Sequence, residues 1–172
     1  MQRISFTPAM LQAVLSGVKT VTRRRLLPEL PMQQEPGRYQ CLSVTAQGAI
    51  FEDLHTTPPL PLVALPCPLG KAGDVLSVQE NPALRLQLVS VRAERVQQLT
   101  EADAVVEGIG RREVEGMWQW GGVEPNLVEL GHFCWYSTPI EAFQGLLNSI
   151  YPTAWARNEW VWVVEFVLLP PK

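Results

Sequence analysis

The chain has 172 residues, 47% hydrophobic and 18% charged, with 14 Lys and Arg against 17 Asp and Glu and a formal net charge of -3. That length fits one domain with a sizeable core, and that composition excludes intrinsic disorder. No apolar run is long enough for a bilayer, the opening MQRISFTPAM has no apolar signal region, and the acidic balance excludes the broad basic face that non-specific nucleic-acid coating needs. Cys41, Cys67 and Cys134 are odd in number and widely spaced. They read as free thiols in a reducing cytoplasm.

Arg3 to Phe6 predicts a short first strand, with Ile4 and Phe6 on one face. Thr7-Pro8 is an N-cap followed by a proline suited to the first helical turn, and Gly17 is a stop signal. A helix is therefore expected from about Pro8 to Ser16, with Met10, Leu11, Val14 and Leu15 as its apolar stripe. Next comes Lys19-Thr20-Val21-Thr22-Arg23-Arg24-Arg25, four cations and two hydroxyls in seven residues. A cationic cluster set against an acidic chain suggests a local purpose, with a solvated basic turn as the alternative. Arg25 is assigned to the surface.

From Leu26 to Pro68 eight prolines punctuate the chain and argue against long regular elements. Within this stretch Tyr39 to Thr45 and Ala49 to Leu54 predict a hairpin around a three-residue loop, Ala46-Gln47-Gly48. The segment 26–66 is read as an insertion on a single domain spanning 1–172, with too few apolar residues for a core of its own. Val75 to Val78 starts a strand after the Gly73-Asp74 turn, and Leu84 to Val91 predicts a half-buried strand.

Thr100-Glu101-Ala102-Asp103 is a capping-box variant opening a short helix that Gly108 ends. Arg111 to Gly131 is expected to be loop, with a strand carrying Trp118 and Trp120 as the alternative there, and these two are the tryptophans best placed to stack a base. Ser137-Thr138-Pro139 opens another helix with Ile140, Phe143, Leu146, Leu147 and Ile150 as its stripe, ended by Pro152. Trp160 to Leu168 is rich in aromatic and β-branched residues and apolar on both faces, which predicts a central strand. Glu165 interrupts that strand and requires a partner. The expected class is α+β, a small barrel with two to three helices.

Four stretches, Ser16 to Arg24, Cys67 to Val78, Thr100 to Gly108 and Asn158 to Phe166, together resemble the ASCH domain family in its phage-associated form. The resemblance implies a PUA-like β-barrel and a role in RNA or modified-nucleoside chemistry. Some small members resemble amidohydrolases of N4-acetylcytidine, with Lys and Thr three residues apart and a later Glu. Lys19, Thr22 and Glu107 occupy those places. Thr20, Arg23, Arg24 and Glu80 would complete a ligand-binding pocket. The chain departs from the pattern at Ser77 and Gln79, where Trp and Arg are usual, and at Glu159, where Pro is common.

Metal-free amide hydrolysis needs a nucleophile, a base and a stabilised oxyanion. Thr22 would be the nucleophile. Lys19 would be its base, with a pKa lowered from about 10.4 by burial and by Arg23 and Arg24. Glu107 would shuttle the proton, and as an alternative is a solvent-facing helix residue. Residues three apart on a straight strand point to opposite faces, so Lys19 and Thr22 converge only across a turn or bulge. Lys19→Met is expected to remove the rate while sparing the fold.

His55, His132 and the cysteines lack the close pairing of structural zinc, and no metal and no cofactor are expected. The expected partner is RNA or a nucleoside, with no membrane, and the sequence leaves the oligomeric state open. The function read from the sequence is recognition of RNA or a modified nucleoside through a basic pocket. Hydrolysis of an N4-acylated cytidine, a non-catalytic nucleotide-binding module and a ribonuclease remain alternatives.

Overall fold

The structure, a computed structural model, describes residues 2–124 and 133–170. In chain order its first elements are β1 (Arg3–Ile4), α1 (Pro8–Leu15), β2 (Val21–Arg25), α2 (Pro31–Gln34), β3 (Tyr39–Thr45), β4 (Gly48–Asp53), β5 (Leu60–Pro61) and β6 (Val75–Val78). They continue with β7 (Arg85–Arg95), α3 (Glu101–Val106), β8 (Gly110–Val114), β9 (Met117–Gly121), β10 (Trp135–Tyr136), α4 (Pro139–Ile150) and β11 (Trp160–Leu168). The chain is thus α+β, with mixed sheets. Among the described residues the strands form three sheets and no closed barrel. His132 and the stretch 125–131 of the expected loop lie outside the described residues. No helix among the described residues is long and apolar enough to cross a membrane.

The chain forms two compact units. The first comprises Met1–Ser5, Thr22–Val96 and Asn158–Lys172. Its five-stranded sheet has the order β1-β6-β7-β11-β2, with β1 parallel to β6 and both β6–β7 and β7–β11 antiparallel. β11 is an interior strand, as its composition predicts, and Trp160 to Val164 are all buried. Burying both faces of such a segment contributes about 1.5–3 kcal/mol for each large apolar side chain. β7 runs to Arg95, beyond the expected end at Val91. Its polar half continues the ladder because Arg92 pairs with both Glu94 and Glu165.

The proline-rich stretch contributes to the core of this same unit. Met32, Tyr39 and Phe51 are buried. Phe51 meets Trp160 edge to face at 5.0 Å and 87°, an arrangement worth about 0.5–1.5 kcal/mol beyond area. The β3–β4 hairpin turns through two residues, Ala46 and Gln47, because Gly48 already pairs with Thr45 in the ladder. The three-residue loop expected from sequence is corrected by that register. β5 completes a three-stranded sheet on β4.

The second unit comprises Phe6–Val21 and Gln97–Arg157. Its helices begin where the sequence says they should. The Thr7 hydroxyl accepts from Met10 N with Pro8 in the first turn. Thr100 with Asp103 and Thr138 with Glu141 form capping boxes opening α3 and α4, each cap worth about 0.5–2 kcal/mol. Glu101 also accepts from Ile140 N at 3.3 Å, so the first turn of α3 caps a free amide of α4. Phe143, Leu146 and Leu147 are buried on α4, whereas Ile150 at its end is exposed.

Residues 110–121 form a hairpin, β8–β9, with β10 on its other side; Trp118 and Trp120 lie on a strand, as the alternative reading had them, whereas Arg111 to Val114, expected to be loop, form the strand that pairs with it. The Glu115-Gly116 turn has positive φ at both positions, 52° and 78°. That is the geometry of a two-residue turn matched to strand twist, and Gly116 adopts it without strain.

Two outcomes are expected from the first unit. The Gln33 side chain, buried, donates to Leu26 O and Trp160 O at 3.2 and 3.0 Å and accepts from Trp160 N at 2.8 Å. Gln33→Leu removes the acceptor of the buried Trp160 N, while Trp160 O keeps its bond from Leu26 N, and lowers stability by about 1–3 kcal/mol, read by urea denaturation at unchanged m-value. Arg38 grips Asp53 through two hydrogen bonds of 2.9 and 2.6 Å and holds its carboxyl down at about 2. A depressed carboxylate stabilises the fold above its unfolded value, about 3.9, and that contribution disappears as pH falls toward 2. The stability gap between wild type and Arg38→Met therefore narrows between pH 4 and pH 2, which melts across that range measure.

Candidate functional site

Within the second unit, the end of α1 and the end of α3 create the most unusual charge arrangement in the described chain. After Ser16 the chain leaves α1 through Gly17, Lys19 N donates to Ala13 O, and Thr20 N donates to Val106 O. α3 stops at Val106 because Gly108 takes φ +92°, which leaves the Glu107 carbonyl without a helical donor. The Lys19 ammonium fills that vacancy. It donates to Glu107 O at 2.7 Å, to Glu107 Oε2 at 2.8 Å and to Val21 O at 2.7 Å. Lys19 and Glu107 are only 4% and 3% exposed.

Two effects favour this placement. A cation at a helix C-terminus meets the negative end of the backbone dipole. A buried ammonium also needs an acceptor for each of its three N–H bonds, and here each has one. Lys19 precedes β2 and folds back onto Val21, so the straight-strand geometry that would separate it from Thr22 does not apply at this position. Gly108 allows the close approach. A Cβ there would lie 3.0 Å from Ala13 Cβ and 3.2 Å from Lys19 Cβ.

A cleft of about 500 Å³ lies next to this pair, within the same unit. Ala9 and Ala13 of α1, Val105 and Gly108 at the end of α3, and Arg111 and Trp120 of the hairpin line it. Its lining includes Val18 and Gly108, the chain neighbours of Lys19 and Glu107; the charged heads lie behind that wall. Arg111 and Trp120 are opposite one another in the β8–β9 register, so both project from one face of the hairpin. The mixture is apolar walls, one indole and one guanidinium.

The other predicted site residues, Thr20 apart, belong to the first unit. Thr22 and Arg23 are buried, and Glu80 is exposed just beyond β6. Arg23 pairs with Glu94 at 3.4 Å, Arg24 donates to Ser5 O at 2.9 Å, and Arg25 holds the buried Glu159 through bonds of 2.5 and 2.9 Å. Thr20, in the second unit, is exposed. The expected open basic pocket is therefore corrected: each cation of the stretch 19–25 has an internal acceptor. Arg25, assigned to the surface from sequence, is half-buried for the same reason. Burial also removes the solvent-facing alternative for Glu107.

Some features of the second unit had no signal in the sequence. Glu124 is buried with neither carboxylate oxygen hydrogen-bonded among the described residues. The Tyr136 phenol beside it is pushed up, first by burial and then by that carboxylate. In the first unit a cleft of about 470 Å³ lies along the hairpin tip at Thr45 to Gly48 and along Cys67, whose thiol burial pushes up. No predicted site residue lines it. Among the described residues, no group of three His, Cys, Asp or Glu is placed to hold a metal ion.

No protein-family model matches the chain, and no curated protein matches it. Among solved structures, the crystal structure of protein EF3133 from Enterococcus faecalis V583, of family DUF984, is similar over 100% of this chain and 82% of that one, at 15% identity and a TM-score of 0.45.

The ion pair changes what Lys19→Met does. The variant leaves the Glu107 carboxylate buried without its cation, at a cost of about 3–5 kcal/mol. It is therefore expected to lower stability, where side-chain volume alone predicts a spared fold. Adding Glu107→Leu removes the stranded charge and restores most of the loss, as paired urea melts of the single and double variants measure.

Proposed function

We propose that the second unit recognises a nucleoside, free or within RNA, by taking its base into the cleft beside Lys19 and Glu107. The carrying observation is the cleft itself, about 500 Å³ with Trp120 and Arg111 on one wall and small apolar side chains opposite. That volume suits a nucleoside-sized ligand. An indole beside a guanidinium offers stacking and cation–π contact to a flat heteroaromatic ring. In the resemblance to the ASCH family, this recognition is set in a PUA-like barrel.

A second reading is metal-free hydrolysis of an N4-acylated cytidine, with a ribonuclease as a further alternative. One observation favours hydrolysis: Lys19 and Glu107, separated by 88 residues, meet at 2.8 Å in the places the resemblance marks as catalytic. In the reading that the resemblance implies, neutral Lys19 takes the Thr22 hydroxyl proton as Thr22 attacks the acyl carbon, Glu107 carries a proton to the departing amine, and water then cleaves the Thr22 ester to release the carboxylate. Thr20, Arg23, Arg24 and Glu80 bind ligand. For Lys19 to act as a base its ammonium must first give up one of the three protons it donates to Val21 O, Glu107 O and Glu107 Oε2, so binding is the better supported activity of this geometry.

Calorimetric titration with cytidine and N4-acetylcytidine, followed by chromatography of the mixture, tests both readings. Nucleoside binding is expected to be insensitive to salt, and Trp120→Ala is expected to weaken it roughly tenfold, the worth of one base–aromatic stack. Absence of affinity for either nucleoside at low salt removes the proposal. Release of acetate, unchanged by EDTA and stopped by Glu107→Gln, establishes hydrolysis; intact N4-acetylcytidine at the end leaves recognition alone.

A further inference from the structure

We infer that the cleft takes its base from an unpaired polynucleotide, with the adjacent base stacked on Trp118; this rests on the proposed recognition of a nucleoside by the same cleft. Trp118 and Trp120 are two residues apart on β9, and strand geometry puts them on one face. Trp120 lines the cleft, whereas Trp118 lies beyond its lining and is 51% exposed. Two residues of strand advance about 6.7 Å, roughly twice the 3.4 Å step between stacked nucleotides. A chain with one base in the cleft and its neighbour on Trp118 is thus opened by one ring thickness. That spacing suits an unpaired, extended strand and excludes a continuous duplex stack.

The charges on this face are arranged for such a strand. Arg111 lines the cleft and its guanidinium lies over the Trp118 ring at 4.8 Å, so one residue borders both base positions. It is exposed and can face the phosphate joining them. Glu113, opposite Trp118 in the ladder, sits on the same face at the outer end. Its repulsion of phosphate keeps the backbone on the Arg111 side. Arg112 belongs to the other face, where it covers Trp135 at 4.1 Å.

The test measures fluorescence anisotropy with a labelled six-nucleotide oligocytidylate, prepared as RNA and as DNA, and competes it with unlabelled cytidine. The wild-type chain is expected to bind the hexamer at least tenfold tighter than cytidine. Trp118→Ala is expected to lose roughly that tenfold while keeping its affinity for cytidine, and Trp118→Phe to retain most of it. Tighter binding of the RNA hexamer alone supports the inference with the sugar hydroxyl also read; tighter binding of both hexamers supports it through stacking alone. Equal affinity of wild type for hexamer and cytidine overturns the inference and leaves the nucleoside reading standing, as does undiminished hexamer binding by Trp118→Ala. Failure of the wild type to bind cytidine or either hexamer overturns both.

Discussion

A buried cation needs an acceptor, and the stretch from Lys19 to Arg25 places four cations where the fold buries or half-buries them. An unpaired charge moved into a protein interior costs far more than a domain's net stability, so the rest of the chain supplies partners. The period of β2 sorts them. Arg23 and Arg25 share a face and meet Glu94 and Glu159, while Arg24 projects to the other side and meets the Ser5 carbonyl. Lys19, just before the strand, meets the end of α3. Such pairs contribute little net energy once desolvation is counted. They act instead as a register: sliding β2 by one residue would exchange its faces and leave both carboxylates without their arginines.

Glu159 shows how this requirement reshapes a local pattern. Here the side chain is wholly buried, its carboxylate holds Arg25, and its carbonyl accepts from Val96 N at 2.9 Å. Proline could keep the carbonyl bond but would lose the anion. The neighbouring Trp160 is fixed as tightly, with its backbone clamped by Gln33 and its indole N–H donating to Pro36 O. Arg95 lies over the same indole and also donates to Pro36 O. The proline-rich stretch thus contributes polar anchors and the ring of Phe51 to the first unit's core, which its own sparse apolar content does not reveal.

Local features were legible in the sequence because their physics is local. Thr7-Pro8, Thr100 with Asp103 and Thr138 with Glu141 announce helix starts through groups three residues apart, and the bounds of β11 follow from its composition. Partners across the fold were not legible. Lys19 and Glu107 are 88 residues apart, Arg23 and Glu94 are 71, and Arg25 and Glu159 are 134. Nothing in a basic run says which distant carboxylates will neutralise it, so the run reads as an open patch. The β8 half of the β8–β9 hairpin was hidden for a different reason. Arg111, Arg112 and Glu113 look like solvated loop, and their strand geometry rests on Glu115 and Gly116 adopting positive φ. Of the candidate site, the sequence therefore identified the ion pair's members and the two tryptophans, but neither the closure of the pair nor the sheet that aligns the rings.

The same geometry orders binding ahead of chemistry. A general base must present a lone pair to the proton it takes, and three short N–H bonds leave the Lys19 nitrogen none to offer. A ligand that disturbed the wall at Val18 and Gly108 would press on the backbone carrying both partners, because Gly108 and Lys19 are already at close approach. Glu107 supplies two of the three acceptors, so a shift of that one residue would undo most of the ammonium's coordination at once. Any displacement of that wall is thereby felt by the Lys19 coordination through a single helix end. A closed pair behind the cleft wall is compatible with a pure binding module and also with a hydrolase whose base is released by its substrate. What separates the two is whether binding energy is used to open the pair.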